Sequence, residues 1–177
     1  MLSCNRKNGF TLVEIIISIA ILTLIIVLLA ANINFLNRFI LRSEVDKLAS
    51  TLVYLQRCAI SSGKDQVLEF DLENKFYKFG TRVFKLPRQV AFGFCQDAKG
   101  PPAAPSSVIK SPVTFKNNRI VFYGDGIIDS GTIYITDSDK KLMYAISSGV
   151  SQASYVRKYV YNFASRNNSE GKWVLIK

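Results

Sequence analysis

Between Phe10 and Ala31 the chain reads FTLVEIIISIAILTLIIVLLAA, a run of about 22 residues that is almost wholly apolar. As a helix rising about 1.5 Å per residue, such a run spans a hydrocarbon layer of about 30 Å. It is longer than the apolar core of an ordinary secretory signal, about 7–15 residues, so a processing cut is expected before it rather than after it. A plain signal anchor is the competing reading, and Glu14 argues against it. Glu14 is the one ionisable side chain between Phe10 and Asn37. A carboxylate placed in lipid costs about 2.5–3.5 kcal/mol and calls for a partner. No basic residue within the run can supply one, so the partner comes from another molecule or from a charge made by processing.

The residues around the glutamate carry a resemblance. Residues 1–9, MLSCNRKNG, are short and polar, with Arg6 and Lys7, and Gly9-Phe10-Thr11-Leu12-Val13-Glu14 follows. This resembles the type IV prepilin signature. The resemblance implies cleavage between Gly9 and Phe10 by a membrane prepilin peptidase, N-methylation of Phe10, and a role in assembly for Glu14. The chemistry is consistent: the cut creates an α-ammonium group at Phe10, which can neutralise Glu14 of a neighbouring subunit inside an apolar filament core. Arg6 and Lys7 favour a cytoplasmic N-terminus, but Arg38, Arg42 and Lys47 follow the run closely, so charge alone leaves the orientation open. The resemblance implies a single-pass protein of the bacterial inner membrane with its C-terminal part on the periplasmic side.

Beyond the apolar run, Leu41, Val45, Leu48, Leu52, Leu55 and Ala59 recur at spacings of four and three, one stripe on a helix. No proline or glycine interrupts residues 10–62, and Gly63 suits a helix C-cap. The pattern predicts one helix of about 50 residues, roughly 75–80 Å long, with its first half in lipid and its second half packed on a domain. After Gly63 the period changes to that of strands. Val67–Leu72 and Phe76–Phe79 form an expected hairpin around Glu73-Asn74-Lys75, and Arg82–Leu86 with Gln89–Cys95 an expected pair around Pro87. Residues 97–112, rich in proline and serine, read as an exposed loop. Short strands are expected at Val113–Phe115, Arg119–Tyr123, Thr132–Thr136, Leu142–Ser147, Tyr155–Phe163 and Trp173–Ile176. The fold class is thus α+β. The expected organisation is a cleaved leader at 1–9, a transmembrane and filament-core helix at 10–31, its amphipathic continuation at 32–63, and a globular antiparallel β domain at 64–177.

The strand region carries a second resemblance. "LQRCAISSG" at the end of the helix, then Phe122-Tyr123-Gly124-Asp125-Gly126, Ser130–Ile135 and Ala145–Val150, are similar to the minor pseudopilin H family of type II secretion and its relatives among pilus minor pilins. That resemblance implies two packed β-sheets on the end of the helix. The proline-rich insert near Pro101 and the tail beyond Val150 depart from the family pattern. Gly124, Gly126 and Gly131 read as turn positions needing positive φ.

Little in the composition supports chemistry. The chain has no histidine, so the commonest general base and metal ligand is missing. Cys4, Cys58 and Cys95 are widely spaced, which makes a zinc site improbable. Cys58 and Cys95 either pair in an oxidising compartment or are two buried thiols. Asp125, Asp129, Asp137 and Asp139 form an acidic cluster, but Asp137-Ser138-Asp139-Lys140 reads as a hairpin turn rather than a calcium loop. No enzyme, metal or cofactor is expected. The net charge is +10, and Lys140-Lys141 and Arg157-Lys158 with Tyr155, Tyr159 and Tyr161 could touch nucleic acid, although a solvated strand face is the plainer account. The expected function is a structural minor pilin or pseudopilin, with other pilin subunits, the prepilin peptidase and an inner-membrane assembly platform as partners. The alternative is a binding module displayed by such a filament, for DNA uptake or surface adhesion.

Overall fold

A computed structural model describes residues 11–31, 33–96, 98–150, 154–163 and 171–176. The chain forms two compact units, one ending at Leu36 and the other beginning at Asn37, and each is taken by itself. In the first, helix α1 covers Leu12–Ala31. Helix α2 covers Ile33–Ser62, so the expected continuous helix is present as two helical elements, with Asn32 outside the described residues. Among the described residues no helix is long and apolar enough to cross a membrane; the side chains described on α1 run from Leu12 to Val27.

From Asn37 onward α2 belongs to an α+β unit. Among the described residues nine strands follow: β1 (Gln66–Asp71), β2 (Phe76–Phe79), β3 (Arg82–Lys85), β4 (Val90–Phe92), β5 (Arg119–Phe122), β6 (Gly131–Asp137), β7 (Met143–Val150), β8 (Ser154–Asn162) and β9 (Lys172–Ile176). They form a four-stranded sheet, β3-β2-β1-β5, and a five-stranded sheet, β4-β6-β7-β8-β9. Every pairing described is antiparallel. The helix packed on two antiparallel sheets is the architecture expected from the sequence.

The predicted stripe is the helix's contribution to the core. Leu41, Val45, Leu48, Leu52, Leu55 and Ala59 are all buried, none more than 1% exposed. They join Leu68, Phe70, Tyr77, Ile120 and Phe122 of the first sheet and Ile133, Ile135 and Ile146 of the second in one cluster. The spacing of the stripe follows from 3.6 residues per turn, and the strand residues follow from a period of two. The helix ends where Gly63 takes a φ of +62°, a conformation that costs glycine little. The β1–β2 hairpin also forms as expected, with Asp71 opposite Phe76. The Asp71 carboxylate accepts the Asn74 N–H at 2.8 Å, and the Asn74 amide also donates to it, holding its pKa below the ordinary carboxylate value.

Alternation also builds a second, smaller core. On β6 and β7, Tyr134, Met143 and Ala145 point away from Ile133, Ile135 and Ile146, and with Tyr161 and Trp173 they pack against Cys95, Ala98 and Ile109. The 97–112 segment is therefore not simply an exposed loop. The Trp173 indole N–H donates to the Lys99 carbonyl at 3.0 Å, and the Tyr134 hydroxyl donates to the Gly100 carbonyl at 3.1 Å. Lys99 and Val108 form a bridge that closes the loop, whose tip at Ala103–Val108 is exposed. The aromatic residues needed hydrogen-bond acceptors, and the loop backbone supplies them.

Three other expectations are corrected. The Arg82–Leu86 and Gln89–Cys95 segments do not pair. β3 pairs with β2, whereas β4 pairs with β6 in the other sheet. Pro87 cannot donate to a ladder; its carbonyl instead accepts the Val90 N–H in a turn that carries the chain between sheets. Val113–Phe115 makes only an isolated bridge from Val113 to Ile133. Among the three glycines expected at positive φ, only Gly126 has it, at +91°. Gly124 and Gly131 are required by close approach instead. A Cβ on Gly124 would lie 2.7 Å from the Gly63 carbonyl carbon, and one on Gly131 would lie 2.7 Å from the Phe115 ring.

Candidate functional site

The N-terminal segment holds the residues to which the sequence assigns function. Gly9 and Phe10, the expected cleavage pair and methylation site, lie outside the described residues, as does Cys4. Glu14 lies within them, in the first turn of α1. Thr11 precedes the helix and caps it: its Oγ1 accepts the Glu14 N–H at 3.3 Å. Thr11-Leu12-Val13-Glu14 is thus a threonine and a glutamate at capping-box spacing. This local role was missed in the sequence, although the T-x-x-E spacing was there to show it. The carboxylate also lies near the positive end of the helix dipole, a placement that typically contributes about 0.3–1 kcal/mol.

The rest of α1 lacks the one-sided character of a surface helix. Every described side chain from Leu12 to Val27 is exposed; Ile15, Ile16, Ile17 and Ile19 are each at least half exposed and lie on different faces. Ser18 and Thr23 do not interrupt the apolar surface, since each hydroxyl donates to a carbonyl one turn back, of Glu14 and Ile19 respectively. Such a helix can satisfy its backbone internally, while its described side chains leave a continuous apolar surface exposed.

The other candidate residues do not converge. Cys58 is a free thiol on α2, hydrogen-bonded with Tyr54. Cys95 is buried in the second core, where its thiol donates to the Lys140 carbonyl at 2.8 Å. The Cys58–Cys95 disulfide is thus not formed: the two residues belong to different packing environments. The acidic cluster is distributed over turns. Asp137 Oδ1 accepts the N–H groups of Lys141 and Leu142 at 2.8 and 2.9 Å. Asp129 accepts the Val121 N–H at 3.0 Å, and Asp125 the Ile127 N–H at 2.9 Å. Among the described residues no group of three or more histidines, cysteines or acids could hold a metal ion.

The basic and aromatic residues of β8 are divided between its two faces. Tyr159 and Tyr161 belong to the second core, with Tyr161 only 4% exposed. Arg157 stacks over the Tyr155 ring at 4.5 Å. Lys158, one residue on, points the other way and pairs with Asp46 of α2 at 2.5 Å. A single nucleic-acid platform of these residues is not assembled.

A family model described as the prokaryotic N-terminal methylation motif matches residues 4–30. The N-terminal segment of the chain is thus similar to that motif. No curated protein matches it. Among solved structures, the chain is similar to the minor pseudopilin EpsH from the type 2 secretion system of Vibrio cholerae, with 13% identity and a TM-score of 0.47, over 66% of this chain and 94% of that one.

Proposed function

We infer that this chain is a structural subunit of a pilin-like filament, either a secretion pseudopilus or a type IV pilus, anchored and assembled through its N-terminal helix. The observation that carries the reading is α1 itself: a 20-residue helix exposed and apolar on every described face, beginning at a methylation motif and interrupted by one carboxylate. The apolar run of the sequence from Phe10 to Ala31, of which α1 is the described part, would as one helix reach about 30 Å, the thickness of a hydrocarbon layer. Before assembly, the helix resides in the inner membrane with the β domain on the periplasmic side. A prepilin peptidase cuts between Gly9 and Phe10, and Phe10 is methylated. An assembly platform then transfers the helix from lipid to the packed helices of a filament. In this reading the β domain, built on two cores, is a structural part of the subunit.

The test is mass spectrometry of the N-terminus of the membrane-extracted protein, from cells with an active prepilin peptidase. The expected first residue is N-methylated Phe10, and the expected loss of Arg6 and Lys7 lowers the net charge by two. A chain that retains Met1 in those cells overturns the reading.

A further inference from the structure

Six cations from four segments gather at one end of the α+β unit, the end at which the chain enters it. Arg38 and Arg42 stand on α2 just after Asn37, where the unit begins. Burial raises the pKa of Tyr144, Arg42 and Arg38 oppose that rise, and Asp46 adds to it, so this part of α2 lies beside the start of β7. β7 is preceded by the turn that holds Lys140 and Lys141. The Ser138 N–H in that turn donates to the Gln89 carbonyl at 2.9 Å, which brings Arg88 to the same end. β8 and β9 keep the level: Val160 is opposite Tyr144, and Asn162, two residues on, is opposite Lys172. All six residues are exposed, and Phe39, next to Arg38, is 64% exposed.

Carboxylates at this end do not balance the cations. Asp139 lies 3.6 Å from Lys141. Asp137 is buried, with its Oδ1 accepting two backbone N–H groups. The other five cations have no carboxylate partner among the described residues. Nearby charges of opposite sign offset one another, as Glu44 does Lys47 and Glu73 does Lys75 in the β1–β2 turn. The far end, where α2 stops at Gly63, has the opposite character. There Asp65, Asp125 and Asp129 accept the N–H groups of Gly124, Ile127 and Val121.

Chain length ties the basic end to the apolar run. Asn37 is six residues beyond Ala31, a reach of at most about 20 Å. The inference rests on the reading that this run resides in a bilayer; the basic end then stays within that reach of the headgroups. In the proposed orientation these cations lie on the periplasmic side, where the charge rule for topology does not call for them. A second copy could offer its acidic end, but copies anchored through α1 stand side by side in one layer and are tethered to it by the same end. We propose that this basic end, together with Phe39, binds the anionic headgroups of the membrane that holds α1 and seats the unassembled subunit's β domain on the bilayer surface. Headgroup phosphates pair with the arginines and lysines, and the Phe39 ring enters the interface beside them. The attraction decays within about 8–10 Å in salt, so extraction of the subunit into a filament breaks it.

The test uses the full chain reconstituted in phosphatidylcholine vesicles with or without phosphatidylglycerol. The photocrosslinker p-benzoylphenylalanine replaces Ser138 at the basic end or Ser61 at the far end, and lipid adducts are read by mass spectrometry. The expected result is a phosphatidylglycerol adduct at Ser138 and none at Ser61. Arg88→Glu/Lys172→Glu should lower the Ser138 adduct by about tenfold, and so should high salt. Lys64→Glu/Lys116→Glu, with the same change in net charge away from this end, should leave it unchanged. Carbonate washing of the vesicles separates the two levels of inference. A chain washed off refutes the anchoring of α1 and this proposal with it. A chain that resists the wash overturns this proposal alone in any of four cases: it gives no phosphatidylglycerol adduct, equal adducts at both positions, crosslinks only to a second copy, or loses the adduct equally in both charge-reversal variants.

Discussion

Leu52 tests whether α2 is part of the core of the β domain or merely lies beside it. It is 1% exposed, in the middle of the stripe and within the cluster shared by both sheets. Truncation to alanine removes three carbons, worth about 2 kcal/mol in transfer from water. The cavity it leaves adds a further cost, because two sheets and a helix cannot all collapse onto it, and the total falls within the range of about 2–5 kcal/mol seen for buried leucines. For a unit of this size about 3 kcal/mol lowers the melting temperature by about 10 °C. The measurement is a circular dichroism melt of a fragment beginning at Asn37, where the second compact unit starts. Ser50, exposed two residues away, is the control: Ser50→Ala should melt within about 2 °C of wild type, since surface changes usually lie within about 0.5 kcal/mol. If Leu52→Ala and Ser50→Ala melt together with wild type, the helix does not belong to the core and the packing described above is wrong.

Gly131→Ala should destabilise the same fragment by about 1–3 kcal/mol, because its Cβ would meet the buried Phe115 ring at 2.7 Å; a shortened Phe115→Leu background should recover part of that loss in a urea melt. Asp137→Ala should cost about 1–3 kcal/mol by stripping two backbone N–H groups of their acceptor in the β6–β7 turn, and Asp137→Asn should recover most of it. Tyr77 is fully buried, with a pKa pushed up from 10.0 to about 12, chiefly by burial. The neutral phenol is thus favoured in the fold, so its stabilisation is complete below pH 10 and is lost as pH rises through about 12, a span worth about 3 kcal/mol. Its hydroxyl lies beside Thr51 but makes no well-formed hydrogen bond, so Tyr77→Phe should stay within about 1 kcal/mol of wild-type stability at neutral pH and lose less between pH 10 and 12 in alkaline melts.

How much of this was legible depended on how local the cause was. The α2 stripe, the Gly63 stop and the β1–β2 hairpin follow from periodicity and turn chemistry, which act within a few residues. The crossing at Pro87 did not: proline signalled a turn, but whether Gln89–Cys95 returns to β3 or joins β6 depends on which sheet offers an edge to Val90 and Phe92. Gly124 and Gly131 were recognised as special for the wrong reason. A clash with Gly63 or Phe115 is a contact between distant segments, and no local pattern records it. The proline-rich loop was misread because its composition describes its exposed tip, whereas its ends are held by Trp173 and Tyr134 from strands later in the chain. At the candidate site the membrane-like run and Glu14 are evident from composition alone, whereas the capping by Thr11 is written only in the T-x-x-E spacing, a weaker signal inside so apolar a run.

Thr11 caps the helix through the Glu14 backbone N–H, and the Glu14 side chain, at capping-box spacing, has two roles to separate: support of the helix start and a charge for an external partner. A carboxylate in the first turn, on a helix capped by Thr11, gains about 0.3–1 kcal/mol from the dipole. Its presence in a hydrocarbon layer costs about 2.5–3.5 kcal/mol. Local structure therefore does not offset the charge, and a net cost of about 2 kcal/mol remains for an external cation to relieve. In the proposed filament that cation is the α-ammonium of Phe10 in an adjacent subunit. Glu14→Gln distinguishes the roles, because glutamine serves a capping box almost as well as glutamate but carries no charge. Glu14→Val removes both side-chain contributions and leaves the Thr11 cap on the backbone N–H in place. Both variants should insert and be cut after Gly9, since the apolar run is not shortened and the cleavage pair is untouched. If Glu14 sets register between subunits, both lose crosslinking to partner subunits, together with secretion or piliation. Wild-type crosslinking by Glu14→Gln, with loss confined to Glu14→Val, would show that the glutamate acts as a helix cap and that the charge pairing is not used.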